Sequence, residues 1–125
     1  MIILRIIGIL YILLGVWCTV LPGQVSQSVG FHLMNGPGMS EFITGYGGLE
    51  VGLGLAMLVT SFSARWRKGG LAFAFILSVC LPLFRVPTVI LFDVHHITYI
   101  LMAAEIVLAV LLGLALWREM QSVKR

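Results

Sequence analysis

The sequence predicts an all-α integral membrane four-helix bundle with both termini cytoplasmic. Three observations carry this. Hydrophobic residues make up 60% of the 125-residue chain and charged residues only 10%, giving a mean hydropathy of +1.08. A soluble domain has roughly a quarter of its residues charged, so this chain cannot cover a water-facing surface, and lipid must be its solvent. The apolar residues fall into four runs, each of about 20 residues and long enough to cross the hydrocarbon core. Finally, lysine and arginine gather at the ends of those runs on one side. The formal charge of +3 therefore reads as a topology signal. It does not describe a nucleic-acid surface, because no basic face interleaved with aromatics exists.

The whole chain, 1–125, reads as a single transmembrane domain. Its first span covers 1–21 and ends at Pro22-Gly23, with Gly8 and Gly15 seven apart as a packing seam. Tyr11 falls near mid-depth, where its hydroxyl needs a partner. Arg5 before an apolar run resembles a signal peptide, and Cys18 invites a lipoprotein reading. Trp17, directly before Cys18, is too large for that cleavage site and no A-x-A site follows, so the segment is expected to stay as a helix. Cys18 and Cys80 read as buried apolar thiols and not as a redox pair.

The loop 22–40 mixes Gln24, Ser26, Gln27, Ser28, His32 and Asn35 with Val25, Val29, Phe31, Leu33 and Met34. That mixture suits an extracytoplasmic segment lying on the membrane surface or folding back over the helices. Gly36-Pro37-Gly38 predicts a turn, and Ser40 followed by Glu41 predicts a capped helix start. The second span covers 41–62, the connection 63–68 is basic, and the third span covers 69–91. Pro82 and Pro87 predict a kinked or partly unwound stretch from Leu81 to Thr88, tolerated where backbone is buried in protein or lines a cavity. Asp93-Val94-His95-His96 leads to the fourth span, 97–117, and a polar, basic tail.

Arg65, Arg67 and Lys68 lie between spans two and three; Arg118, Lys124 and Arg125 follow span four; the other two connections contain no lysine or arginine. The positive-inside rule then puts both termini and the 63–68 connection in the cytoplasm, in a bacterial inner membrane. Trp66 and Trp117 fall at the inner interface and Trp17 and Tyr99 near the outer one, which agrees with that orientation.

The second span holds the anomaly. Between Gly45 and Gly54 it carries five glycines and the carboxylate of Glu50. Gly48, Gly52 and Ala56 are four apart and line one stripe against which another helix can pack closely. A charge near the bilayer centre costs at least about 2.5–3.5 kcal/mol, so Glu50 should be paired, protonated or facing a wet cavity. With a rise of ~1.5 Å per residue, Glu50 lies roughly 13 Å below the outer end of its span, Glu105 roughly 12 Å and Arg85 roughly 9 Å. Three ionisable groups on three helices thus reach a similar depth, with Tyr46 one turn above Glu50 and Thr98 two turns above Glu105. One arginine pairs one glutamate, which leaves the second acid to a wet cavity, a proton or a cation. A purely structural Arg–Glu bridge satisfies the same residues. His96 with His95 and Asp93 marks the mouth. Adjacent histidines in a short connection read as interfacial polar groups, so neither metal nor other cofactor is implied. No nucleophile elbow, phosphate loop or HExxH appears, and nothing assigns the chain to a class of enzyme.

Tyr46-Gly47-Gly48-Leu49-Glu50 followed by Gly52-Leu53-Gly54 resembles the second span of the DoxX-like group of small four-helix bacterial membrane proteins. The four-span layout with a basic second connection extends the likeness over most of the chain. The resemblance implies a membrane bundle, in some members a subunit of an oxidoreductase assembly that passes electrons to quinone. Of the residues discussed, only Glu50 and its glycines are carried over from that family; Arg85 and Glu105 rest on depth.

The reading that follows is a bundle with an intramembrane polar cavity opening outward. Glu50, Arg85, Glu105, Tyr46, Thr98 and His96 would bind a small amphipathic ligand such as a lipid or quinone. Two alternatives use the same residues. In one the chain is a non-catalytic accessory subunit that docks a partner helix on Gly48, Gly52 and Ala56. In the other it is a small proton-coupled transporter, against which the lack of an inverted repeat counts. The partners expected are membrane lipid, the amphipathic ligand, and a homo-oligomer or larger membrane complex, with no nucleic acid.

Overall fold

A computed structural model describes residues 1–32 and 35–121. Leu33 and Met34 of the long connection, and Lys124 and Arg125 of the tail, lie outside the described residues. The chain is helical almost throughout: α1 (Ile2–Val20), α2 (Pro22–Ser28), α3 (Asn35–Phe42), a π-helical segment (Ile43–Gly48), α4 (Leu49–Phe62), α5 (Ala64–Leu91) and α6 (His96–Gln121). Among the described residues there is no strand. Four helices are long and apolar enough to cross a membrane: Ile2–Val20, Gly36–Phe62, Ala64–Leu91 and His96–Gln121. Their outward faces are apolar, with Ile2, Phe84 and Ile90 about three-quarters exposed, as surfaces solvated by lipid require.

Two antiparallel pairs build the bundle, α1 with α4 and α5 with α6, and they meet through α4 and α5. The first pair is a glycine seam. A Cβ placed on Gly54 would stand 2.5 Å from the Gly8 carbonyl oxygen, and one on Gly15 would stand 2.6 Å from the Gly47 carbonyl oxygen. Gly8 and Gly15 are seven apart, and so are Gly47 and Gly54, so two backbone contacts repeat at the same spacing along both helices. Helices in lipid gain little from burying apolar side chains and associate through such close approach. The face of the π segment and α4 that packs inside the chain is therefore the one with Gly47, Val51 and Gly54. Gly48, Gly52 and Ala56 are exposed, and a Cβ on Gly52 would meet nothing within 4 Å. The four-apart stripe is left open to lipid or to another chain.

Leu4, Ile7, Met57, Leu71, Ala74, Leu112 and Ala115 form a core contributed by α1, α4, α5 and α6. Cys18, Val25 and Phe42 form a second cluster where α2 folds against the end of α1. Of the two thiols, Cys18 is buried and Cys80 is exposed, which corrects the expectation that both are enclosed.

Two sequence expectations about proline fail for stated reasons. The turn expected at Gly36-Pro37-Gly38 is absent, and α3 runs through it. Pro37 is the third residue of α3, within the first turn, where its missing N–H has no helical acceptor to lose. The unwinding expected from Leu81 to Thr88 is also absent: α5 stays helical with Pro82 and Pro87 inside it. Proline is tolerated inside a membrane helix because neighbouring helices, Ser/Thr side chains and local adjustments satisfy the backbone groups it frees. The connection 63–68 likewise shrinks to Ser63, since α5 starts at Ala64.

Candidate functional site

Glu50, Arg85 and Glu105 come from three helices, and an ion pair joins two of them. Arg85 comes from α5 and Glu105 from α6, one on each partner of the tightly packed α5–α6 pair. Arg85 Nε donates to Glu105 Oε2 at 2.8 Å, and Arg85 Nη2 donates to Glu105 Oε1. This is the fork-to-fork geometry that makes guanidinium–carboxylate pairs strong and directional. Both side chains are mostly enclosed, at 26% and 12% exposure, so the pair replaces water that neither group can reach freely. Thr88 Oγ1 donates to the Arg85 carbonyl at 2.7 Å.

Glu50 is the acid left over. It stands in the first turn of α4, directly after the π-helical segment, and one of its carboxylate oxygens is enclosed with no hydrogen-bond partner. The π segment explains its setting. The Leu49 amide donates to the Thr44 carbonyl, five residues back, and such wide turns recur at functional sites because they re-aim the side chains around them. Tyr11 on α1 lies close enough to both Glu50 and Glu105 to feel their charge, and Cys18 feels that of Glu50. Sequence reading places Tyr11 at mid-depth without joining it to the cluster; the signal was a phenol at the level of two buried carboxylates.

The other site residues sit further out. Tyr46 stacks on Phe42 with ring centroids 4.8 Å apart, and Phe31 meets Tyr46 edge-on at 5.6 Å. Tyr46 also lies within charge range of Arg85. Thr98 uses its backbone amide to donate to the His95 carbonyl at 2.9 Å, and its hydroxyl makes no hydrogen bond to the Arg85–Glu105 pair. His96 is exposed and its ring lies 6.4 Å from that of His95. A concavity of about 330 Å³ opens there, lined by Asp93, Val94, His95 and His96. It lies at the mouth and does not include Glu50 or Arg85. Among the described residues no three of His, Cys, Asp or Glu converge as metal ligands. The cluster as built can anchor two helices through its ion pair and still offers an unclasped acid.

Neither the functionally curated proteins nor the solved structures contain a significant match to this chain. A family profile does match, and it covers residues 1–116, from α1 through most of α6, including every residue of the cluster. That coverage assigns the chain: it belongs to the family described as a domain of unknown function, DUF4345.

Proposed function

We propose that the chain is a small multi-pass protein of the bacterial cytoplasmic membrane that binds the polar head of a small amphipathic molecule, a lipid or a quinone, at the intramembrane cluster. The observation that carries this reading is the enclosed Glu50 oxygen without a partner, while Arg85 is already clasped by Glu105. A buried acceptor left unmade is costly, and a ligand hydroxyl or protonated head group would satisfy it. Arg85 keeps N–H groups that Glu105 does not use, and these suit a carbonyl or anionic oxygen. The Phe31, Phe42 and Tyr46 rings offer an apolar wall above. Arg65, Arg67 and Lys68 in the first turns of α5 support cytoplasmic termini, with the cluster in the outer half of the membrane.

Native mass spectrometry of detergent-purified protein tests this. Wild type should carry a discrete bound mass, and Glu50→Leu should lose about tenfold in occupancy, the effect of removing one charge-assisted hydrogen bond. A bare wild-type mass, or equal occupancy in both, would contradict it.

A second reading has its own observation. The exposed Gly48, Gly52 and Ala56 face favours an accessory subunit whose α4 receives a partner helix. Gly52→Leu should then dissolve an assembly that wild type forms in mild detergent, while Glu50→Leu leaves it intact.

A further inference from the structure

The end of the bundle opposite the cluster gathers cations in a way the fold does not need. Arg5 of α1 donates through Nε to Ser61 Oγ at 3.3 Å and lays its guanidinium 4.2 Å above the Phe62 ring. The Met1 nitrogen donates to the Ser61 carbonyl at 3.2 Å, so the amino terminus and Arg5 both hold the end of α4 at Ser61. Arg67 meets Glu119 of α6 at 3.7 Å, and its Nε is enclosed with no acceptor. Arg65, Lys68 and Arg118 stand at the same end. Helix α5 starts here too: the Trp66 and Arg67 amides donate to the carbonyl of its N-cap, Ser63, whose side chain gives no hydrogen bond, and the positive dipole end of the helix adds to the local charge.

These groups ask for an anion. We propose that the basic end of the bundle around Arg5, Arg67 and the first turn of α5 binds the phosphate of an anionic phospholipid. Like charges brought together repel, and an enclosed N–H without an acceptor costs free energy; one phosphodiester oxygen set would satisfy both. A lipid fits better than a free ion because the cations stand beside exposed apolar surface. Phe62 is 65% exposed and Trp66 55% exposed, beside the cations, where acyl chains would lie under a headgroup. Basic pockets between helix ends are the usual sites for such head groups. Glu119 is the competing internal anion for Arg67.

The test uses the full chain in detergent micelles with Trp66 as the reporter, after Trp17→Phe and Trp117→Phe. Brominated phosphatidylglycerol should quench Trp66 at a concentration about fivefold lower than brominated phosphatidylcholine does. Arg67→Gln should reduce that preference to less than about twofold, and Arg67→Lys should keep most of it. Glu119→Gln, which takes nothing from the apolar core, should strengthen the preference. Equal quenching by the two lipids would overturn the proposal, as would a preference unmoved by either Arg67→Gln or Glu119→Gln. Displacement of the brominated lipid by inorganic phosphate at constant ionic strength would overturn it too, by making the site one for free phosphate.

Discussion

Replacing Arg85 by alanine is expected to destabilise the protein by about 3 kcal/mol, because it strands Glu105 as an unpaired charge in a mostly enclosed site. The loss belongs to the broken pair and not to the arginine alone. Arg85→Gln combined with Glu105→Gln should recover most of the stability, since two neutral amides can hydrogen-bond each other and neither has a charge to desolvate. Unfolding in detergent mixtures, followed by tertiary-structure signals, measures both. If Arg85→Ala unfolded at the wild-type midpoint, the bidentate contact between α5 and α6 would contribute nothing. If the double substitution were as unstable as the single one, the effect would come from lost packing around the arginine stem.

Gly54→Val should be comparably damaging, near the upper end of the ~1–3 kcal/mol typical of overpacking. The new Cβ would meet the Gly8 carbonyl oxygen at 2.5 Å and the Ile12 amide nitrogen at 2.9 Å. Both are backbone atoms, so no side chain can swing away and α1 must separate from α4. Gly52→Val, two positions earlier on the same helix, adds its methyls to open space and should change stability by less than about 0.5 kcal/mol. The contrast between neighbouring glycines separates a packing requirement from a general dislike of β-branched residues in this helix. Equal behaviour of the two would mean that the seam does not hold the bundle together.

Much of this architecture is legible in the residues. Four apolar runs at this composition read as spans, and the structure has four helices long and apolar enough to cross a membrane; the depth of Arg85 and Glu105 brings them to one level before any contact is known. Which acid pairs with the arginine is not legible, because depth along three helices leaves their rotation undetermined. The glycines of α4 show the same limit. Helical spacing offers two small-residue faces, one through Gly47 and Gly54 and one through Gly48, Gly52 and Ala56, and periodicity alone does not choose. The choice lies in the match between helices: the seven-residue step from Gly8 to Gly15 is repeated by Gly47 and Gly54 and not by the four-residue stripe. Pro37 misleads for a different reason, since proline breaks a helix interior but fits a first turn. The π-helical segment leaves no mark in the sequence that we could use. It depends on how the glycine-rich stretch meets α1.

The most direct measurement is the rate at which an apolar carbodiimide modifies each intramembrane carboxyl, read by peptide mass spectrometry before and after adding back the protein's own membrane lipid extract. Glu50 should be modified and Glu105 spared, because Arg85 holds both oxygens of Glu105, and the extract should slow the modification of Glu50 by occupying the site. Modification of Glu105 at the same rate, or a Glu50 rate indifferent to the extract, would contradict an unclasped acid that receives an amphipathic ligand.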